Sequence, residues 1–571
     1  MNKAYSILPV ICGKSAAVLL AASILFPLSA KAQSEDDFYS DGSSQIQTEE
    51  SATPNHFADD AFLRRYSQQD EVKQLLANSS SRIQRNLVMY ANMFGNAGSG
   101  DNAPFWFTSN RQGLSPVNNA SILLDLGLDG SMYLPSNFHF SYGMEVATGI
   151  KYQSDFYLQQ FYVEAGYKWF DLSVGAKSRW GELVNPSLSS GALTWSGNSR
   201  PIPQIRLEVP EFTRLGILGR LFSLKGHIAY GWYQDSEWRR ERASIYSNPP
   251  QYTDKILHHS KSFFLKVGDT KRFPLELTLG LEMYAQFGGT RHNMHTWSSD
   301  PIIGEYEFPH DFKAYLQAFL PVNEAGGQTK ENGNTFGSWH IAFDLTMKQW
   351  KYRLYYEHFF EDHSSMLGIE RKADLNGNMS LISYGLRRNW LDGLFGIEVN
   401  APEGLPFSNI VFEVLNTRGQ CGSVLRYQMK EIIEGVDGRD NTYVHEYYKS
   451  YSNFGYNNGS PILVSPLYNE DGNLSLKSNR ALSFHLGIDG NITERISYRV
   501  MATHTSHWGT YDYPLPEREE ITSALVECFY KFKGSHGWKL GLSLAGDFDT
   551  GGLTGNNKGC MISVSKNWKM L

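Results

Sequence analysis

The sequence predicts an all-β protein, a transmembrane antiparallel β-barrel of about 18 strands preceded by a short helical periplasmic segment. Three observations predict this fold class. Aromatic residues make up 14% of the chain and glycines number 52, a mixture typical of all-β proteins. Apolar and polar residues alternate over unusually long segments, and the connections between these segments are alternately short and long.

The N-terminal residues have the features of an export signal. Lysines flank the apolar stretch "SAAVLLAASILFPLSA", which is followed by Lys31 and the small residue Ala32. This pattern predicts a signal peptide over residues 1–32. Residues 33–58 are polar and lean acidic, which predicts a disordered segment. Beyond residue 33 the chain has no run of 18 apolar residues, so no transmembrane helix is expected.

Residues 59–102 are predicted to form a helical periplasmic segment, because apolar residues recur there at spacings of three and four. A second helical stretch is expected to include Ile83, Leu87 and Tyr90. The barrel is predicted to cover residues 103–571, with "APFWFTSN" as its first strand.

The alternation is clearest in "FHFSYGMEVATGIKY", residues 138–152. The even positions, such as Phe138 and Met144, are mainly apolar, whereas the odd positions, such as His139 and Glu145, are mainly polar or small. The same pattern recurs at 275–287 and 538–548. A β-sandwich could also alternate in this way, but a membrane strand needs roughly 9–11 residues, longer than an ordinary strand.

The connections favour the barrel over the sandwich, because short turns at one end and long loops at the other are typical of bacterial outer-membrane barrels. We therefore expect the protein in the bacterial outer membrane. The short connections are predicted at Leu134–Asn137, Lys168–Phe170, Lys348–Gln349 and Asp489–Asn491, and the long ones at 179–199, 236–261, 289–337 and 431–480.

Composition and motifs argue against several classes of function. The net charge of −7 is unsuited to a nucleic-acid partner. The sequence lacks the common catalytic and phosphate-binding motifs and has no CxxC pair, so neither an enzyme nor a cofactor is predicted. Calcium binding by the loop carboxylates remains open; the candidates are Asp374, Asn376 and Asn378 in one loop and Asp547 and Asp549 in another.

The stretch "SGNSRPIPQIRLEVPEF", residues 196–212, combines a strand-like alternation with three prolines. Proline cannot donate to a β-ladder, so a bend or bulge is expected here. The alternation places Gln204, Arg206 and Glu208 on the luminal face, with Asn198 and Arg200 just before the strand. Arginines at these positions could pair with neighbouring carboxylates or bind an anionic sugar in a bidentate manner.

Tyrosines are frequent in the loop 431–480, and Tyr451 and Tyr456 are candidate ligand contacts. They could stack on sugar rings, or the loop aromatics could pack against the loop itself. Other tyrosines of the same loop are Tyr443, Tyr447 and Tyr448.

Three segments resemble the Wzi capsule-assembly family, in particular members from Bacteroides-like bacteria. "SGNSRPIPQIRL" resembles that family's Gly-Asn-x-Arg-Pro-x-Pro-Gln block, "APFWFTSNRQG" is similar to its opening barrel segment, and "YSNFGYNNGSPI" is a looser match to one of its loops. The resemblance covers roughly residues 103–571. It implies an outer-membrane barrel of 18 strands that acts as a surface lectin for capsular or other extracellular polysaccharide.

The expected function is therefore binding or retention of polysaccharide at the cell surface. The expected partners are outer-membrane lipid, capsular polysaccharide or exopolysaccharide, and the polysaccharide export machinery. Two alternatives remain open from the sequence. A passive or saccharide-selective porin would require an unobstructed lumen, and an outer-membrane enzyme acting on lipid or glycan would require an assembled catalytic dyad or triad.

Overall fold

The computed structural model describes residues 83–569 except 215–220, 246–249, 271, 294–303, 321–332, 362–365, 367–369, 375–378, 384–390, 421–423, 430–431, 438–440 and 535–536. The predicted signal peptide, the predicted disordered segment and residues 59–82 of the predicted helical segment lie outside the described residues. In the described part of the chain, no helix is long and apolar enough to cross a bilayer.

The main structure is one sheet of 18 strands that closes on itself. Each strand pairs antiparallel with the next, and the first strand pairs with the last from Val88↔Lys569 to Ser99↔Lys558. The predicted fold class, an antiparallel barrel of about 18 strands, is thereby confirmed. In chain order the barrel strands are β1 Gln84–Ser99, β2 Ala120–Tyr133, β3 Phe138–Ile150, β4 Phe156–Tyr167, β5 Phe170–Ala176, β6 Gln204–Thr213, β7 Phe222–Trp232, β8 Leu257–Val267, β9 Leu275–Phe287, β10 Asn334–Met347, β11 Trp350–Glu361, β12 Gly393–Asn400, β13 Asn409–Asn416, β14 Ala481–Thr493, β15 Ile496–Gly509, β16 Pro514–Lys531, β17 Trp538–Asp549 and β18 Lys558–Lys569.

The predicted alternation separates the outer wall of the barrel from its lumen. In β3, Phe138, Tyr142 and Met144 are exposed on the outer wall, while His139 and Glu145 are buried in the lumen. This arrangement is the reverse of a soluble protein, and it suits a wall surrounded by lipid. Consequently the large exposed apolar side chains of the strands form a belt around the barrel.

The strands are connected by short turns at one end and by longer loops at the other, which we call the long-loop end. The longest loops are 177–203, 288–333, 362–392 and 417–480. One turn differs from the prediction: β14 continues through Asp489–Asn491 to Thr493, and the turn lies at residues 494–495.

The N-terminal boundary of the barrel was predicted wrongly. The helix was expected to include Ile83, Leu87 and Tyr90, but Leu87 and Tyr90 lie in strand β1, which begins directly after Ile83. The expected first strand over 103–110 contains a helical turn, α1, Phe105–Thr108. In β1, Tyr90 is buried in the lumen while Met89 is exposed on the outer wall. The spacing of Ile83, Leu87 and Tyr90 is compatible with a helix, but pairing of β1 with both β2 and β18 closes the sheet.

Further elements are found in the loops at the long-loop end. Two helices are α2, Ser236–Ala243, and α3, Phe312–Phe319. Short strands form small sheets: Tyr252–Asp254 with Thr290–His292 and Tyr306–Glu307; Glu370–Ala373 with Met379–Ser383, Val424–Met429 and Ile432–Asp437; Val444–His445 with Lys449–Ser450; and Ser452–Asn453 with Tyr456–Asn457, followed by a 3₁₀ turn at Pro466–Tyr468.

Candidate functional site in the loop-filled lumen

The loop 177–203, which we call the inner loop, folds into the barrel between β5 and β6. Leu188 and Leu193 are completely buried, and Trp195 stacks on the luminal Tyr284 with ring centroids 5.3 Å apart. Leu193 and Trp195 belong to a core cluster that also contains side chains of the strands and of the loop 417–480, which we call the cover loop. The lumen at this level therefore holds a packed core.

Two luminal glutamates hold the backbone of the inner loop. The N–H groups of Leu193 and Thr194 donate to the two carboxylate oxygens of Glu357 on β11 at 2.8 and 2.9 Å. Ser190 donates to Glu413 on β13 through its N–H at 2.6 Å and its hydroxyl at 2.5 Å. Both carboxylates are buried. Charge-assisted hydrogen bonds of this kind are stronger than neutral ones, so they fix the loop in the lumen.

A third luminal carboxylate, Glu527 on β16, is held by two arginines. The Nε of Arg499 donates to it at 2.7 Å, and Nη2 of Arg111 donates at 3.3 Å. Arg499 also donates to the carbonyl of Ser187 in the inner loop at 3.1 Å. The buried cluster thus joins β15, β16 and two loops.

These glutamates were not among the residues selected from the sequence. Each is a charged residue at a luminal position of an alternating strand, for example Glu357 in "YYEHFF" and Glu413 in "VFEVL". That alternation is the signal that could have identified them. Their partners in the inner loop have no comparable signal, because they are mostly backbone groups.

Arg206 and Glu208 lie on the luminal face of β6, as predicted, and they pair with each other. Nε of Arg206 donates to Glu208 at 2.5 Å, and Arg179 of the inner loop lies 3.6 Å from the other oxygen of the same carboxylate. Arg206 is only 5% exposed. Gln204 is also buried, and its side-chain carbonyl has no hydrogen-bond partner among the described residues. This arrangement matches the first of the two alternatives from the sequence, in which the arginine pairs with a neighbouring carboxylate.

Asn198 connects the inner loop to the cover loop. Its side-chain NH₂ donates to the carbonyl of Asn457 at 3.0 Å, and its side-chain carbonyl accepts from the N–H of Asn110 at 3.1 Å. Ser196 and Ser199 make further hydrogen bonds to residues 458 and 459. Two segments selected from the sequence for their family resemblance, around 196–204 and 451–462, therefore pack against each other.

Arg200 lies between two aromatic rings, with its guanidinium 4.8 Å from the ring centre of Tyr157 and 4.2 Å from that of Phe454. The described residues provide no carboxylate within 4.0 Å of it. Burial lowers the pKa of Arg200, which reflects the loss of water around the guanidinium. Gly113 leaves room for this side chain, because a Cβ there would lie 2.4 Å from the Cγ of Arg200.

The candidate tyrosines Tyr451 and Tyr456 are buried, each only 1% exposed. Tyr451 packs against Phe336 and Tyr443 with ring centroids 5.5 and 5.6 Å apart. Burial raises the pKa of both hydroxyls well above the ordinary value. In this structure neither ring is available for stacking on a sugar. The two tyrosines instead match the other alternative from the sequence, in which the loop aromatics pack against the loop itself.

Ser338 and His340 form a cluster that could be mistaken for a catalytic site. The hydroxyl of Ser338 lies 2.8 Å from Nε2 of His340, and Glu282 and Glu357 lie 3.6 and 3.9 Å from that same nitrogen. A catalytic triad requires the carboxylate on the other ring nitrogen. Ser338 is also completely buried. The cluster has the geometry of a packed polar core.

Asp547 and Asp549, which were expected in a loop, lie at the end of strand β17 and are engaged by protein groups. Of the other calcium candidates, Asn376 and Asn378 lie outside the described residues. Asp549 accepts hydrogen bonds from the N–H groups of Gly551, Gly552 and Thr554 at 2.7–3.0 Å. Asp547 accepts from the N–H of Phe105 at 2.8 Å. These bonds organise the turn between β17 and β18 and hold α1 in the lumen.

A surface patch at the long-loop end combines the exposed Arg418 and Tyr513 with the half-buried Arg480 and Tyr511. We call Arg418, Arg480, Tyr511 and Tyr513 the rim patch. The guanidinium of Arg480 lies 4.2 Å from the ring centre of Tyr511, whose hydroxyl donates to the carbonyl of Arg418 at 3.2 Å. Tyr513, at the tip of the turn between β15 and β16, is 82% exposed. Among the described residues, no carboxylate lies within 4.0 Å of either arginine.

A closed 18-strand barrel with an apolar outer belt defines an outer-membrane β-barrel protein, and the chain belongs in the bacterial outer membrane. No protein-family model and no curated protein sequence matches the chain.

Comparison with solved structures places the fold more specifically. Wzi of Escherichia coli, an outer-membrane protein involved in group 1 capsule assembly and a carbohydrate-binding β-barrel, is similar over 88% of this chain and 88% of that chain, with 11% identity and a TM-score of 0.50. Also similar are OccK5 of Pseudomonas aeruginosa, at 8% identity over 86% of this chain and 99% of that chain with a TM-score of 0.41, and OccAB2 of Acinetobacter baumannii, at 8% identity over 86% and 98% with a TM-score of 0.42. The predicted resemblance to Wzi is thus confirmed at the level of the fold.

Proposed function

We propose that this protein binds and retains capsular or other extracellular polysaccharide at the cell surface. The observation that carries the proposal is the filled lumen. Glu357 and Glu413 hold the inner loop inside the barrel, and the cover loop packs against it. A polymer would therefore bind to the loops at the long-loop end.

The alternative function, a passive or saccharide-selective porin, is less well supported because it requires an open path through the lumen. An enzymatic function is also less well supported, since the Ser338–His340 cluster lacks the geometry of a triad. The fold shared with Wzi, a carbohydrate-binding barrel, favours the binding function.

The rim patch is the surface that we propose contacts the glycan. Arginine binds carboxylate or phosphate groups in a bidentate manner, and exposed aromatic rings stack on the apolar faces of sugars. Among the described residues, Arg418 and Arg480 have no carboxylate within 4.0 Å, although both interact electrostatically with the more distant Asp392. We propose that an anionic ligand supplies the close partner. The buried and half-buried candidate residues would then hold this surface in place from inside the barrel. They are Asn198, Arg200, Gln204, Arg206, Glu208, Tyr451 and Tyr456. We propose the polysaccharide export machinery as a partner in the same process.

The test compares binding of the surface polysaccharide extracted from the source cells to purified wild-type protein and to two variants. Arg418→Ala/Arg480→Ala should weaken binding about tenfold or more, because a hydrogen bond to a charged group contributes roughly 1.5–3 kcal/mol. Arg240→Ala is the matched control, since Arg240 is exposed on α2 and pairs with the exposed Glu237. Equal binding by all three proteins would exclude the rim patch, and no binding by any would contradict the proposed function.

A further inference from the structure

Helix α3 lies on the outer wall of the barrel. Its buried residues Ala314 and Ala318 pack against Ala285 and Phe287 of β9. These two strand residues have the same parity as Leu279, which is exposed on the outer wall. Helix α3 therefore covers a part of the wall that would otherwise face lipid.

Specific contacts fix both ends of this helix. Asp311 caps its N-terminus by accepting from the N–H of Ala314 at 2.9 Å. At the other end the ammonium group of Lys261, an outer-wall residue of β8, donates to the carbonyl of Phe319. The hydroxyl of Tyr230 on β7 donates to the carbonyl of Tyr315 at 3.0 Å. A cation at the C-terminal end of a helix also interacts favourably with its dipole.

The side of the helix that faces away from the barrel is apolar. Phe312, Leu316 and Leu320 are 84%, 51% and 53% exposed. They are spaced four residues apart and so form one stripe. Lys313 and Gln317 follow them around the helix and separate this stripe from the buried face. Such a three-sided pattern, with a packed face, an apolar face and a polar edge, suits a helix lying at a membrane surface.

The strand register gives the height of the helix on the wall. Ala285 pairs with His259, and Phe287 pairs with Leu257, which in turn pairs with Trp232 at the end of β7. Trp232 is exposed on the outer wall, and exposed tryptophans mark the water boundary of a membrane. The exposed Ile228 and Phe263 of the same strands lie farther from the long-loop end. The apolar stripe of α3 is thus continuous with the upper edge of the lipid-facing belt.

We propose that α3 is an interfacial lipid-binding helix. Its stripe of Phe312, Leu316 and Leu320 inserts among the acyl chains of the leaflet at the long-loop end, just below the headgroups. The helix widens the contact of the barrel with lipid on one side. This inference does not depend on polysaccharide binding.

The test uses a polarity-sensitive fluorophore attached to single cysteines in full-length protein whose native cysteines are replaced by serine. The labelled variants are Leu316→Cys on the helix, Leu279→Cys in the belt and Tyr513→Cys at the exposed loop tip. They are reconstituted into phosphatidylcholine vesicles with and without a lipid that carries a nitroxide near its headgroup. Because all three sites are exposed, the variants should fold, which heat-modifiability on gels checks independently.

We expect the fluorophore at 316 to be quenched by the nitroxide lipid at least as strongly as the one at 279, and to be protected from aqueous iodide. The fluorophore at 513 should show the opposite behaviour. Iodide quenching at 316 equal to that at 513 would overturn the proposal. Protection at 316 from both quenchers would also overturn it, because the stripe would then be covered by protein, such as a second copy of the chain.

Discussion

Arg206 is a luminal residue whose charge is paired within the barrel. Its guanidinium is 2.5 Å from Glu208, and Arg179 of the inner loop approaches the same carboxylate. The prolines around it have separate roles. Pro203 precedes β6 at the long-loop end, whereas Pro210 lies where the register of β6 and β7 shifts between Val209 and Thr213. The predicted bulge is therefore present, but it lies toward the short-turn end.

Substituting Arg206 by Ala should destabilise the barrel without affecting glycan retention per folded molecule. Removing one partner of a buried ion pair typically costs about 3–5 kcal/mol, because the remaining charge stays buried. The unfolding temperature of purified protein and the surface-retained glycan should be measured on the same variant.

The double variant Arg206→Met/Glu208→Gln serves as the control, since it removes both charges and should regain part of the stability. If Arg206→Ala leaves the unfolding temperature unchanged but abolishes glycan retention, Arg206 contacts the ligand directly.

At the scale of elements, the inner loop depends on carboxylates that are far away in the sequence. Ser190 and Glu413, for example, are 223 residues apart. The loop has few strong secondary-structure signals of its own. The N–H groups of Ser190, Leu193 and Thr194 donate to carboxylates of the barrel wall, which satisfies them as buried backbone groups require. Contacts with luminal side chains thus order the inner loop, and the inner loop in turn fills the lumen.

Replacing residues 185–195 by a short Gly-Ser linker should open a path through the barrel, because it removes the buried side chains of Leu188 and Leu193 together with the loop groups that donate to Glu357 and Glu413. Single-channel recordings in planar bilayers should show frequent conductance steps for this variant and rare ones for the wild type. Heat-modifiability on gels confirms that the variant barrel is folded. Wild-type protein with a stable, high conductance would contradict a filled lumen.

At the scale of the whole molecule, closure of the sheet and the apolar belt determine how the protein sits in the membrane. The belt is built from alternate residues of nearly every strand, including Met144, Leu279 and Leu542. In the described part of the chain every barrel strand pairs with a neighbour on both sides, including β1 and β18, so the sheet has no free edge strand.

Leu279→Arg should destabilise the barrel in vesicles by about 2–4 kcal/mol if this position lies near the bilayer midplane. Tyr513→Arg is a matched control, because it also places arginine at an exposed apolar position, but in water. Gly280 is unsuitable as a control, since a Cβ there would lie 2.2 Å from the ring of Phe264. Denaturant unfolding of both variants in the same vesicles measures the difference, and equal stability would contradict the assignment of the belt.

The sequence by itself determined the period of the strands, the separation of outer wall and lumen, and the approximate number of strands. These features depend on the local alternation of side chains, which β-strand geometry imposes residue by residue. For the same reason the luminal positions of Gln204, Arg206 and Glu208 could be predicted from the alternation alone.

The tertiary structure decided the features that depend on distant partners. Residues 84–99 have apolar spacings compatible with a helix, and only pairing with β2 and β18 selects the strand. Tyr451 and Tyr456 could have been exposed in a long loop, but the neighbouring inner loop and barrel wall bury them. Helix α3 packs on the outer wall because Lys261 and Tyr230, on two other strands, hold it there. Such contacts join residues far apart in the chain, so they cannot be predicted from a local sequence pattern.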